Sequence, residues 1–314
     1  MIPIPIHRRW QLWAAVLLVA GILAAALLAP VIAPPDDRAN PELLRQAGSA
    51  QDPVPHPPAP GAPLGTTPHQ FDVFYTLIWG SRQALGFGLS ITLISALLGS
   101  LAGAVCAYAG GLLNRLFLGV TNALLAFPLM AAIPFMVLLM DFLLMKVSPG
   151  DPTAQVTGAA AFFLNLFQKT GAFTPAVLLL YWIPYARLVN DQVLRLKETE
   201  FIVAAKSVGA KKRRIILRHL LPNSISPVII WATKNVGALV ILQATFTYIG
   251  LDNGSAWAAL LREGRHWIIG PGGNLLTHWW VYLPITLAII LFGFAWNLLG
   301  DEANTAINPR ERFS

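Results

Sequence analysis

Six runs of apolar residues, at 12–32, 85–109, 116–144, 174–190, 224–249 and 279–299, alternate along the chain with shorter polar or proline-rich stretches. A helix needs about 20 apolar residues to cross a bilayer, so the pattern predicts an all-α integral membrane protein with six transmembrane helices. The first run has a basic front (His7, Arg8, Arg9) and small residues near its end. Its apolar core of about 20 residues exceeds the 7–15 of a cleaved leader, which makes residues 1–33 a retained signal anchor.

Between the first two runs, residues 34–84 are expected to form an external segment dense in proline, as in DPVPHPPAPGAPLG. Such composition favours extended, poorly packed chain. A short interfacial helix is expected at its end, over 71–81, with Tyr75 and Trp79 at headgroup level. Residues 85–314 then form a five-span core. Gly110 and Gly111 close the second span in a short turn before Arg115. Pro128 and Pro134 remove backbone donors from the third and predict kinks there. The piece AAAFFLNLF (159–167), inside the outer stretch 146–172, is too short to span and predicts an interfacial or re-entrant helix. The fourth run turns amphipathic as it leaves the bilayer, so its helix continues beyond the membrane.

Composition supports the bilayer: 55% of residues are hydrophobic and 12% charged, against two soluble domains of similar total length. The net charge of +7 alone would suit nucleic acid, but its distribution follows the spans. With the N-terminus inside, fourteen of the 22 Lys and Arg residues fall on the inner side and seven on the outer, while Lys234 lies within a span. That bias obeys the positive-inside rule and puts both termini in the cytoplasm, with no nucleic-acid role. Enzymatic patterns are missing from the sequence. There is no GxxxxGK[ST] to cradle ATP phosphates, no HExxH and no GxSxG, and GPGG (Gly270 to Gly273) reads as an outer turn. The single cysteine, Cys106, excludes an intramolecular disulfide.

One segment interrupts the apolar pattern: AAKSVGAKKRRIILRHLLPN, residues 204–223. Inserting its six cations would cost roughly 15–20 kcal/mol at about 2.5–3.5 each, so it lies in the cytoplasm. Phe201, Ala204 or Ala205, and Val208 recur at helical spacing and make a narrow apolar face. Gly209 stops that helix, because glycine tolerates the positive φ of a helix terminus. A basic amphipathic run over 213–220 follows, and Pro222 precedes the next span. The loop is therefore a compact knob over 199–222. On physical grounds it is either an anchor on anionic headgroups or a docking element for a soluble partner.

The spacing A-A-x-x-x-G, then H-L-L-P after nine intervening residues, resembles the EAA coupling loop of ABC importer permeases through Ala204, Ala205, Gly209, Leu221 and Pro222. Val203 stands where that motif often has an acid, with Glu200 one turn earlier. Further stretches resemble the dipeptide/oligopeptide (DppC/OppC-like) branch in order along the chain: PLGTTPHQFDVFYTLIWGSRQAL, LLAFPLM, ILQATFTYIGLDNGSAWAALLREGR and NLLGDEANTAINPR. Gln243 replaces a common Glu and Asp252 a Gly.

This resemblance implies a MetI-like permease bundle that is a transport subunit and not an enzyme. It implies pairing with a second homologous permease, two ABC ATPase subunits on the coupling loop (Glu200, Phe201, Ala204, Ala205, Val208, Gly209, Leu221, Pro222), and an extracytoplasmic binding protein. ATP and Mg would bind to the ATPases, with no cofactor on this chain, and the cargo would be di- or oligopeptides or a related small solute. The translocation pathway would involve Lys234, Gln243 and Pro128. Lys234 in mid-span reads either as a pathway charge or as a polar contact between helices or a snorkelling cation, and Gln243 either as a gate residue or as a packed amide. Two other classes compete: an ion-coupled secondary transporter, which would need buried carboxylates that the spans almost lack, and a membrane scaffold binding lipid only.

Overall fold

The computed structural model describes residues 6–35, 44–147, 171–269 and 274–307. The expected helix at 159–167 and the turn at Gly270 to Gly273 fall outside them. Among the described residues the chain is helical, with isolated bridges and no strand. In order, the helices are α1 (Ile6–Leu27), α2 (Ala29–Ile32), α3 (Val73–Ala109), α4 (Gly111–Ala126), α5 (Leu129–Val147), α6 (Phe173–Leu196), α7 (Glu200–Ser207), α8 (Lys212–Ile215), α9 (Leu221–Tyr248), α10 (Ala256–Gly264) and α11 (Trp279–Ile307).

Among the described residues, four helices are long and apolar enough to cross a membrane, and the bent pair α4 and α5 makes a fifth if it counts as one span. The expected count of six is not reproduced. Residues 174–190 do form a helix, α6, but Pro184, Tyr181, Trp182, Tyr185, Arg187 and Asn190 dilute its apolar character. The third expected span bends by 98°. Phe127 is extended (φ −77°, ψ 131°) because the ring of Pro128 excludes the helical region for the residue before it. The carbonyl of Pro128 then starts the next helix, accepting from the N–H groups of Ala131 and Ala132 at 2.9 Å. Pro134 is accommodated inside α5.

Two more expectations are corrected. The interfacial helix at 71–81 and the span at 85–109 are one 37-residue helix, α3. At 1.5 Å per residue it is about 55 Å long, well over the roughly 30 Å hydrocarbon core. Nothing between the two parts breaks a helix, and the Ser81 hydroxyl is satisfied by the Ile78 carbonyl at 2.6 Å. The proline-rich stretch is also packed, not loose. Thr66, Thr67, Gln70 and Asp72 are buried. The Gln70 side chain donates to the Val54 carbonyl at 2.8 Å and accepts from the Thr66 hydroxyl at 3.0 Å, and the Asp72 N–H donates to the Arg45 carbonyl at 2.8 Å. Buried side-chain polar groups thus supply the bonds that the prolines cannot donate.

The chain divides into two compact units, residues 1–89 with 233–314, and residues 90–232. In the first, α1 lies along α11. The core gathers Val73, Leu85, Val236, Val240, Trp257, Leu260, Ile285 and Phe292. Trp257 holds it together: its indole N–H donates to the Leu77 carbonyl at 3.1 Å and its ring meets Phe292 edge-on at 5.9 Å. The second unit is built on a close helix crossing. Gly99 and Gly103 of α3 face the backbone of Trp182 and Ala186 on α6, the small-residue packing that brings helices together in lipid. The Asn190 amide donates to the Gly103 carbonyl (3.2 Å) and to Asn114 Oδ1 (2.7 Å), tying α3, α6 and α4 together.

Candidate functional site

The basic interruption folds as a helical knob in the second unit. Thr199 leaves the helical region (ψ 150°), with its hydroxyl on the Leu196 carbonyl at 2.6 Å, and so separates α6 from α7. Helix α7 begins with Glu200 and carries Lys206 in its last turn, each charge at the favourable end of the helix dipole. Gly209 takes φ +75°. Its N–H donates to the Lys206 carbonyl at 2.9 Å and the Ala210 N–H to the Ala205 carbonyl at 3.0 Å. This is the paired closure of a Schellman motif, and it explains glycine at that position. The chain restarts at α8 and widens into a π turn over Ile216–Leu220, closed by the Leu221 N–H on the Ile216 carbonyl. It then continues directly into α9. Pro222 has no N–H to give to the preceding turn, which suits the wider turn before it.

The knob has two faces. Ile202, Ile215 and Leu220 are fully buried against Tyr185, Val189 and Val193 of α6, Val228 of α9, and Ala104 and Ala107 of α3. Leu221 packs beside them. Opposite, Phe201 is 45% exposed, Val203 51% and Val208 85%. Ala204, Gly209 and Pro222 are exposed and Ala205 is half-buried. Lys206 Nζ sits 5.6 Å from the centre of the Tyr108 ring. Of the sequence-derived loop residues, Phe201, Ala204, Val208 and Gly209 form the outer ledge, and Leu221 belongs to the inner support. Sequence reasoning missed the anchors Ile202, Ile215 and Leu220, and it missed that Val203 joins the ledge. Three branched apolar residues inside a loop with this many cations were the available signal.

Of the three pathway candidates, Pro128 belongs to the second unit and Lys234 and Gln243 to the first. Pro128 is exposed at the bend between α4 and α5. Lys234 forms an ion pair with Asp301 of α11 at 2.5 Å, and its stem packs on Gly300. The pair links α9 to α11. Gln243, roughly 13 Å further along α9, is 5% exposed and bonds to Asp252.

Around Asp252 the first unit carries a hydrogen-bonded cap. Asp252 accepts from the Thr247 hydroxyl (3.1 Å) and the Gly254 N–H (2.9 Å). Gln83 of α3 accepts from the Ala256 N–H at 2.8 Å and donates to the Gly254 carbonyl. Arg262 donates to the Thr247 carbonyl and to Asn253 Oδ1, both at 3.2 Å. Burial pushes the Asp252 carboxyl above the usual value despite the donors that favour its charged form, and burial does the same at Asp72. A carboxyl with a raised folded pKa holds its proton more tightly in the fold, so cap stability rises as pH falls through that pKa and is complete below the unfolded value. Each unit of such a rise is worth about 1.4 kcal/mol. Melting of the purified protein is therefore expected to climb on mild acidification, and Asp72→Asn with Asp252→Asn is expected to flatten the profile. An unchanged slope in the double variant contradicts this assignment.

Comparison with known proteins agrees with this architecture. The model of the family described as "binding-protein-dependent transport system inner membrane component" matches residues 95–313. The dipeptide transport system permease protein DppC of Bacillus subtilis is 26% identical over 294 residues, covering 93% of this chain and 79% of its own. A probable D,D-dipeptide transport system permease protein of Escherichia coli, DdpC, is 28% identical over 81% of this chain and 75% of its own. The glutathione transport system permease protein GsiD of Pectobacterium atrosepticum is 29% identical over 76% and 69%. A family match over more than half the chain, on a multi-helix membrane architecture with a supported loop between α6 and α9, leads to one conclusion: this chain belongs to the family of binding-protein-dependent transport system inner membrane components.

Proposed function

We propose that the chain is the permease subunit of an ATP-driven importer that moves di- or oligopeptides, or related small solutes, across the cytoplasmic membrane. As an inner membrane component of such a system it is a transport subunit and not an enzyme. In this reading it pairs with a second homologous permease, an extracytoplasmic binding protein delivers the cargo, and two ATPase subunits carry the ATP and Mg. The relatives named for dipeptide and glutathione transport support the cargo class.

The observation that carries the coupling role is the knob. Its outer ledge, Phe201, Val203, Ala204 and Val208, is exposed, while its inner face is locked by Ile202, Ile215 and Leu220. A ledge that was only a headgroup anchor would not need this rigid support. Closure of the ATPases would press on residues 200–222, and a close-packed interior transmits the displacement to α6 and α9 because it does not compress. Termini in the cytoplasm fit the same picture. In the first unit the proline-rich stretch meets the start of α11, where the Trp280 indole donates to the Thr66 carbonyl at 3.2 Å.

Affinity purification from cells co-expressing the companion P-loop ATPases tests the reading. The ATPases are expected to co-purify with the full chain and to be lost on deletion of 204–209. Uptake persisting in vesicles without any ATPase would instead support an ion-coupled transporter. Absence of both uptake and ATPase would support a scaffold.

A further inference from the structure

Within the first unit, α9, α10 and α11 surround a cavity of about 350 Å³. Two helical stripes line it. Ile241, Thr245 and Tyr248 on α9, and Tyr282, Thr286 and Ile289 on α11, follow the same spacing of four residues and then three, so each set shares one helix face. Small residues leave the room between them. Ala244 of α9 and Ala258 of α10 are 6% and 1% exposed, and both line the cavity where a larger side chain would fill it. Leu261 of α10 and Ile268 complete the apolar lining. The walls are not uniformly apolar, because four of the ten described residues that line the cavity carry a hydroxyl. Thr245 donates its hydroxyl to the Ile241 carbonyl at 2.8 Å, and Tyr282 donates to the Leu275 carbonyl at 2.9 Å. Each oxygen keeps lone pairs that can accept a further bond. Among the described residues no charged side chain lines the cavity.

We infer that this cavity holds an apolar side chain of the cargo, one branched or aromatic residue of a small peptide, with the peptide backbone against the hydroxyls. The inference deepens the importer reading and rests on it. The lining chemistry selects this occupant. Its volume lies at the small end of the roughly 300–1,000 Å³ of small-molecule pockets, which join an apolar body to a few placed polar groups. A lipid tail offers nothing to a hydroxyl, whereas a peptide N–H donates to one and a peptide carbonyl accepts from one. The uncharged lining gives no counter-ion to a peptide terminus, so selection here acts on the side chain. Position agrees with this occupant. Ile241 to Tyr248 form about the last two turns of the membrane-crossing helix Lys212–Tyr248, and Tyr282 to Ile289 fall within about the first three turns of α11. In the proposed topology both stripes lie toward the outer side, where cargo arrives. Ile241 and Tyr248 are 41% and 38% exposed, which leaves the cavity open to entry. The coupling loop precedes α9 and shares none of these residues.

Photo-crosslinking of the purified full chain in lipid nanodiscs with the dipeptide alanyl-photoleucine, whose diazirine sits on an apolar side chain, tests this. Adducts are expected within 241–248 and 282–289, located by mass spectrometry of the digested chain. Excess leucyl-leucine should lower them about tenfold, and glycyl-glycine should not. Thr245→Phe and, separately, Thr286→Phe fill the cavity from its two walls, and each should reduce the adducts about tenfold. Leu287→Phe, on α11 but outside the lining, should leave them unchanged. Two independent fillings keep the test decisive if one of them impairs folding. Adducts confined to other segments, or equal competition by the two dipeptides, would overturn the site. Labelling of the same residues by a diazirine-bearing phospholipid acyl chain, undiminished by leucyl-leucine, would assign the cavity to lipid and overturn it equally. Uptake measured alongside separates the two readings. ATP-driven uptake without cavity adducts keeps the importer and removes the cavity, while competed adducts without ATP-driven uptake keep a site for apolar peptides and remove the importer.

Discussion

Gly103→Ala is expected to destabilise the protein strongly, although a single methyl group is the mildest addition a glycine can receive. A Cβ at this position would lie 2.1 Å from the Ala186 carbonyl oxygen and 2.9 Å from its carbon. Both are backbone atoms of a helix, so no side chain can rotate away. The α3 and α6 axes must separate, and that also strains the bond from the Asn190 amide to the Gly103 carbonyl. Overpacking a well-fitted interior costs typically 1–3 kcal/mol, and a clash with backbone belongs at or above the top of that range, about 3 kcal/mol. In a protein of this size that lowers the melting temperature by roughly 5–10 °C. Gly119→Ala, on α4 of the same unit, provides the opposite sign. Its Cβ would meet nothing within 4 Å, so the helix propensity of alanine should stabilise it by up to about 1 kcal/mol. Thermal unfolding of both variants in detergent checks the pair. The close-crossing account would be falsified if the two shifted in the same direction.

The sequence made some of this legible and hid the rest for identifiable reasons. The knob was readable because its evidence is local. Charge argues that it cannot enter lipid, and a glycine after a short helical repeat fixes where that helix ends; the second held at Gly209. The break at Phe127 was likewise written in one dipeptide, though not the 98° it produces. What the sequence left open or hid depended on residues apart in sequence. Lys234 could be read as a pathway charge or as a contact between helices, and only the fold brings Asp301 to it. The proline-rich stretch looked loose because proline removes donors, yet the Gln70 side chain reaches back 16 residues to the Val54 carbonyl and also holds the Thr66 hydroxyl. Gln243 and Asp252 both depart from the family pattern, and the structure shows that they bond to each other. Substitutions that look like two separate departures are one contact in the cap.

The largest functional effect is expected at Val208, and its contrast with Ile202 separates contact from support. Val208 is 85% exposed, so Val208→Asp should leave folding stability within about 0.5 kcal/mol of the parent. If the ledge is covered by an ATPase, the same change buries an unpaired carboxylate in an apolar contact at a cost of several kcal/mol. ATPase binding and ATP-driven uptake are therefore expected to fall by about a hundredfold or more. Ile202→Ala should behave in the reverse way. The residue is fully buried, and truncating a buried isoleucine costs about 2–5 kcal/mol, so the knob loosens from Tyr185, Val189 and Val193 while its ledge keeps its chemistry. The ATPase should still bind and hydrolyse, but with fewer solutes moved per ATP, and hydrogen exchange in 200–210 should quicken. A docking surface and a lever arm predict different measurements. Weakened binding at Val208 with intact turnover stoichiometry, alongside intact binding at Ile202 with poor stoichiometry, is the signature of a rigid element pushed from outside. Wild-type uptake in Val208→Asp would mean that nothing presses on this ledge.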